Sequence, residues 1–336
     1  MSESGALGLT TVLIYIPCHS DYEMAISSAR RILDQTNEIN NESFEIRVHI
    51  AINGVPSSPS VDGLPNTTVS LTKSILGGDL NISNGFLKAL EVCPDYFWLL
   101  SANENLVENA ILNLQNLISA NPETDLFIAN AENRKGLLEL SNIFTGVPAN
   151  TALGLISGVI YKYSTTKESF RQAPLFSWTG WGQLAVIQNI LSSKPHSKIM
   201  DFPDHELYEK PYTYQDSSLD YSESEIVGNV YAHSFFGLPI LAFSLLQRNK
   251  KDLRNFQKQW LKSNWFKINM FLADATIGDE LKLQRNKWVY ALAKRTFNFV
   301  SLQGIVFRIA RWLPVGKLKR NRIAIRLLNS YKRAIR

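Results

Sequence analysis

Between Thr11 and Asp201, short apolar runs rich in β-branched and aromatic residues alternate with stretches whose apolar positions recur at helical spacing. No other feature limits the possible folds as much. Thr11 to Ile16 (TVLIYI) reads as a strand ended by Pro17, and Tyr22 to Thr36 then places Ala25, Ala29 and Leu33 on one helical stripe. Glu45 to Ile52 is a second strand, ending at Asn53 and Gly54, and Thr68 to Leu71 is a third. A helix over Ser83 to Glu91, a nearly continuous apolar strand over Asp95 to Leu100, a helix over Leu106 to Ser119 and a strand over Asp125 to Ile128 follow. Parallel strands need a crossover between them, usually a helix, so this order predicts a mostly parallel sheet covered on both faces.

The later order is less regular. Gly154 to Tyr161 predicts a strand, Gly180 to Leu191 a helix and Lys198 to Asp201 a last short strand, before a stretch of acids, prolines and tyrosines reaching Glu225. Phe235 to Leu246 is apolar but interrupted by Pro239. It falls well short of the roughly 20 residues of a membrane span and is expected to be a buried helix. With 336 residues, 45% of them hydrophobic, the chain has material for a full α/β core and an appendage. The expected division is a principal α/β domain over residues 1–235 and a helical C-terminal region over residues 236–336. Cys18 and Cys93 lie in unrelated segments and support neither a disulfide framework nor a zinc site.

The net charge of +5 hides a division. Lys282 to Arg336 carries 15 Lys or Arg and no Asp or Glu, which leaves −10 on the first 281 residues. Such asymmetry marks contact with a polyanion. From Arg320 onward Ile323, Leu327, Leu328, Tyr331 and Ile335 fall on one helical stripe, with Arg322, Arg326, Lys332, Arg333 and Arg336 on the other face. That is the pattern of an interfacial amphipathic helix; the alternative is a helix packed on the body with its basic face in solvent. A wide apolar stripe accompanies the charge and no recognition motif appears, so the expected partner is an anionic membrane surface and not nucleic acid. Met1 to Thr10 lacks the basic and apolar regions of a signal peptide. The expected location is therefore the cytoplasm, peripheral on the inner face of the membrane.

In open α/β sheets ligands bind at the carboxyl ends of the strands. Those ends read IPCHSD, INGV and LLSANEN, and NISNGFLKAL precedes the fourth strand. In this order they resemble the N-terminal half of family 2 glycosyltransferases of the GT-A fold. The nearest branch acts on bacterial surface polysaccharides, such as abequosyltransferase-like enzymes. The likeness covers Val12 to Asn130 and, more loosely, Gly154 to Leu191. It implies a Rossmann-like, mostly parallel central sheet with helices on both faces and a C-terminal helical region. It also implies inverting transfer of a sugar from a nucleotide-diphosphate sugar to a lipid-linked or growing glycan acceptor. Carried over by position, Pro17 and His19 lie near the nucleotide, Asn53 beside its base, Asn84 with Gly85 at a helix start near the sugar diphosphate, and Asn103 and Glu104 in the metal motif. Asn53-Gly54 equally suits a tight turn, and Asn84-Gly85 a plain helix N-terminus.

The sequence departs from that pattern twice. Where relatives carry two or three aspartates, Ser101 to Asn105 offers one carboxylate, Glu104, flanked by neutral oxygens. A Mg²⁺ or Mn²⁺ ion there would lean on the diphosphate for further oxygen ligands. Without an ion, Lys88, Arg134 and Lys162 are the nearest cations by segment. The second departure concerns the base. Relatives carry Gly-Trp-Glu-Asp, whereas Thr179 to Gln183 reads TGWGQ; Asp201, Asp204 and His205 remain as candidates to take the acceptor's proton. Trp178 and Trp181 suit either stacking on an acceptor sugar or burial. Both departures sustain a second reading, a catalytically silent scaffold or binding subunit of a glycan assembly complex. A nucleotidyltransferase is disfavoured, because no Gly-rich, Lys-bearing phosphate loop is present.

Overall fold

The structure is a computed structural model and describes residues 9–19, 22–39, 43–54, 61, 63–73, 78–130, 135–144, 153, 156–209 and 237–260. Arg134 and the basic segments expected over Lys287 to Leu313 and Arg320 to Arg336 lie outside these residues. The chain divides into two compact units, residues 1–220 and 221–336.

In the first unit the elements follow as β1 (Thr10–His19), α1 (Tyr22–Ile39), β2 (Phe44–Asn53), β3 (Thr67–Thr72), α2 (Gly78–Val92), β4 (Tyr96–Leu99), β5 (Asn105–Leu106), α3 (Ala110–Ala120), β6 (Leu126–Asn130), β7 (Gly136–Leu138), β8 (Val159–Lys162), α4 (Tyr163–Phe170), α5 (Gln172–Phe176), α6 (Gly182–Ser193), β9 (Ile199–Pro203) and β10 (Tyr208–Glu209). Eight strands form one sheet in the order β3-β2-β1-β4-β8-β6-β9-β7. β1 pairs parallel with β2 and β4, and β2 with β3. β8 runs against both β4 and β6, β9 runs with β6, and β7 runs against β9. Six strands therefore point one way, as the helix-strand alternation predicts, and only β8 and β7 oppose them.

Residue parity decides which helices cover which face. Val12, Ile14 and Ile16 of β1 join Ala25, Ala29, Ile32 and Leu33 of α1 and Ile111, Leu114 and Ile118 of α3 in one buried cluster. On the other face Phe86 of α2, Phe97 of β4, Tyr161 of β8 and Phe170 of α4 form an aromatic group with ring centroids 5.2 to 6.0 Å apart. Truncating one such ring to Ala costs about 3–5 kcal/mol. Both faces of β4 are covered and all four of its residues are buried, which is why YFWL is apolar without alternation.

Several boundaries differ from expectation: Leu106 lies in β5 with α3 starting only at Ala110, and the strand expected from Gly154 starts at Val159. β1 continues through Pro17 to His19. Tyr15 O accepts a hydrogen bond from Leu100 N on the β4 side, and Pro17, two residues on, faces that side after β4 has ended. Its missing N–H therefore costs no ladder bond. α2 begins at Gly78, five residues before the expected start. The second unit contains a helix over residues 237–245, with Leu238, Ile240, Leu241 and Ala242 buried, as the apolar run from Phe235 implies. Another helix covers residues 250–260.

Candidate functional site

The six strands that share a direction deliver their carboxyl ends to one edge of the sheet. There His19 lies in register with Asn53. The Asn53 side chain is 1% exposed and donates from Nδ2 to Cys18 O at 3.2 Å. Asn81, also buried, donates to the same carbonyl at 3.2 Å and to Ala51 O at 3.1 Å, while its Oδ1 accepts from the Tyr15 hydroxyl at 3.2 Å. One amide thus fastens the ends of β1 and β2 to α2, satisfying carbonyls at the point where the ladder runs out. The bond to Cys18 O ties the Asn53 side chain to the end of β1. Gly54 adopts φ +82°, a conformation glycine takes without strain, and donates to Thr72 O at 3.0 Å, extending the β2–β3 ladder by one bond. Asn84 and Gly85 sit inside α2 and not at its first turn, so their amides are taken by the helix. A Cβ on Gly85 would come 2.8 Å from both Leu99 Cδ2 and Tyr15 Cδ1, so this glycine is required by close packing of α2 on the sheet.

Beyond β4 the chain turns sharply, with Glu104 N donating to Ser101 O at 3.1 Å. Ser157, fully buried ahead of β8, holds this turn twice: its Oγ accepts from Ser101 N and its carbonyl from Trp98 Nε1, both at 2.9 Å. Asn103 is exposed, whereas Glu104 is 7% exposed, so the two residues expected in the metal motif face different surroundings. β5 then pairs antiparallel with β10, Leu106 opposite Tyr208 and Asn105 opposite Glu209. Val107 N donates to Leu207 O at 3.1 Å and Asn113 Nδ2 to Glu206 O at 2.8 Å. These bonds hold the segment after β4 against the segment after β9. Tyr208 is buried, and its hydroxyl has no hydrogen-bond partner among the described residues. Burial, then the charges of Glu104 and Asp204, push that hydroxyl well above the usual tyrosine range. Two carboxylates a hundred residues apart in sequence thus bear on one buried phenol. Asp204 is half-buried and His205 exposed. Asp201 lies within β9, in register with Ile128 and Gly136, and is 1% exposed.

The helix α6 meets α2 and α5 with no space to spare. A Cβ on Gly182 would lie 2.6 Å from Ala173 O and 3.1 Å from Ser83 Oγ. Position 182, where the expected Gly-Trp-Glu-Asp pattern would put its Glu, has no room for a Cβ unless the Ala173 backbone shifts. Trp178 is 40% exposed, with Nε1 donating to Leu175 O at 3.0 Å, and Trp181 is half-buried. Of the cations nearest by segment, Lys162 falls at the opposite edge, in register with Tyr96 at the start of β4, because β8 runs antiparallel. Lys88 pairs with Glu91 at 2.7 Å and lines a cavity of about 300 Å³ with Leu13, Arg47 and Val92. Among the described residues no group of three or more His, Cys, Asp or Glu is placed to hold a metal ion. Glu104 alone is a thin donor set for Mg²⁺ or Mn²⁺, and an ion there would need the diphosphate's oxygens.

Sequence reasoning passed over Asn81, Ser157 and Tyr208. Asn81 lies ahead of the helix expected from Ser83, so its place on a buried helix face could not be read from that period. The two-residue strands β5 and β10 carried no signal, since a period cannot be read from two positions.

No protein-family profile matches the sequence, and neither does any curated protein. Among solved structures, S. aureus TarS residues 1–349 in complex with UDP-GlcNAc aligns over 97% of this chain and 92% of that one, with 9% identity and a TM-score of 0.56. The same S. aureus fragment in complex with UDP gives 0.54 at 9% identity, over 97% and 92% of the two chains. At this identity the likeness establishes the architecture, a mixed, mostly parallel α/β sheet of the GT-A type.

Proposed function

We propose that the chain is a glycosyltransferase that moves a sugar from a nucleotide-diphosphate sugar to a lipid-linked or growing glycan acceptor in surface polysaccharide biosynthesis, inverting the anomeric carbon. The observation that carries this reading is the β5–β10 pairing, which ties the chain following Glu104 to the chain following Asp204 beyond the carboxyl ends of β4 and β9. A UDP-sugar occupies the S. aureus TarS fragment of the same architecture, which supports a nucleotide-sugar donor here. Pro17, His19, Asn53 and Asn84 would border the donor, with Glu104 and Asn103 toward its diphosphate and any Mg²⁺ or Mn²⁺ that accompanies it. Trp178 and Trp181 would stack on the acceptor. Asp204 is the favoured base: it is half-buried after β9, where a carboxylate can reach an acceptor hydroxyl, whereas Asp201 is enclosed in the strand and His205 is exposed. The acid-free segment Lys282 to Arg336 would hold the protein at the cytoplasmic face of the membrane, concentrating it near a lipid-linked acceptor.

The second reading, a silent scaffold of a glycan assembly complex, is favoured by one observation, the closed space at Gly182. Incubating the purified protein with a panel of nucleotide sugars, with and without Mn²⁺, separates the two. Nucleotide release identifies an enzyme; retained nucleotide binding with no release from any donor identifies the scaffold. On the enzyme reading Asp204→Asn lowers transfer by about 10²–10⁴-fold and leaves donor binding in place. Equal activity of Asp204→Asn and wild type would remove Asp204 from the mechanism.

A further inference from the structure

The helix over residues 250–260 distributes its charges unevenly. Leu253, Phe256, Gln257 and Trp260 are buried. At about 100° per residue, Lys250, Lys251, Arg254 and Lys258 fall in one sector about 100° wide beside that buried stripe. Asp252, Asn255 and Gln259 take the remaining flank. The four cations and Arg248, just ahead of the helix, are exposed. None of the five forms an ion pair among the described residues, while Arg47, Lys88, Lys135 and Lys198 in the first unit each pair with a glutamate. The acid of the segment is committed elsewhere: Asp252 accepts from Asn249 Nδ2 at 2.6 Å, and its amide donates to Asn249 Oδ1 at 3.1 Å, capping the helix. A solvated face would intersperse both signs; this one segregates them, and among the described residues no acid pairs with the positive side.

We infer that the basic face of the 250–260 helix docks on the anionic headgroups of a lipid bilayer. Its cations spread over about 12 Å of helix, which suits laterally mobile headgroups. A nucleic acid is the poorer occupant, because single strands are held by aromatic stacking and both aromatics of this helix, Phe256 and Trp260, are buried. No helix among the described residues is long and apolar enough to cross a membrane, so the contact is peripheral. It is separate from the acid-free segment after Lys282 and deepens the membrane placement proposed above, but it does not depend on glycosyl transfer.

The test sediments the full chain with vesicles of phosphatidylcholine, alone or mixed with phosphatidylglycerol. Pelleting is expected only with phosphatidylglycerol and should weaken as salt rises. Combining Lys251→Glu, Arg254→Glu and Lys258→Glu should lower vesicle affinity by about tenfold or more, at an unchanged melting temperature. If charge reversal unfolds the unit, the corresponding Gln substitutions should lower affinity in the same direction. A folded variant that pellets like wild type overturns the inference, as does a loss confined to a single-stranded oligonucleotide tested in parallel. UDP binding, measured without vesicles, should be the same in variant and wild type. Failure of the wild type to bind UDP would count against the donor reading and leave this one standing.

Discussion

At the residue scale, two buried polar groups each make a measurable claim. His49 is 3% exposed, stacked at 5.3 Å on Tyr15, with Nδ1 2.7 Å from Thr68 Oγ1 and Nε2 2.9 Å from Ser70 Oγ. Burial, reinforced by Lys88 and partly opposed by Glu91, pushes its pKa down to about 4. The ordinary value near 6.5 applies to the unfolded chain, so between pH 6.5 and 4 the unfolded state takes up the proton first. Stability present above that window is lost as the pH falls through it, by at most about 3 kcal/mol. Melting curves across this range should show His49→Gln with a flatter acid slope than wild type; an identical slope would remove His49 as the cause. Tyr208 makes the opposite claim. Its hydroxyl is buried without a hydrogen-bond partner among the described residues, so Tyr208→Phe should leave stability unchanged or raise it by about 1 kcal/mol. A loss above that in chemical denaturation would mean the hydroxyl is bonded in solution. Neither residue stood out in the sequence, because burial of a lone His or Tyr depends on what folds over it.

At the scale of elements, the start of helix α6 is packed too closely for a side chain. Replacing Gly182 by Ala would set a Cβ against the Ala173 carbonyl at 2.6 Å, an atom of the backbone that cannot swing aside. At Gly85 the obstacles are the Leu99 and Tyr15 side chains at 2.8 Å, which can shift by a few tenths of an ångström. A Gly-to-Ala change inside a helix otherwise gains about 1 kcal/mol, while overpacking costs about 1–3 kcal/mol. Gly182→Ala should therefore be clearly destabilising and Gly85→Ala less so, as read from denaturation midpoints. The reverse order would contradict this packing. Ser157 acts between elements, joining the residues before β8 to the turn after β4. Ser157→Ala should cost about 1 kcal/mol and weaken donor binding by loosening the Glu104 turn. The strands and longer helices were legible because a period needs only five or more residues to show. α4, α5 and the two-residue strands escaped notice, being too short or too polar to display one.

At the scale of the whole molecule, a mildly acidic body and a basic C-terminal region are expected to divide the work between chemistry and location. Deleting Arg320 to Arg336 should shift the protein from the membrane pellet to the soluble fraction, and an unchanged distribution would refute that anchor. What the sequence by itself determined is the alternation of strands and helices, the parallel half of the sheet and the polar residues closing its strands. These follow from local periodicity and from the lengths that crossovers require. Only the tertiary structure decided that β8 enters antiparallel between β4 and β6 and carries Lys162 to the far edge. It likewise decided that β5 meets β10 across about a hundred residues of chain, bringing Tyr208 under the charges of both Glu104 and Asp204. Such pairings depend on long-range contacts whose partners share no spacing in sequence, so no window of the chain contains the information that selects them.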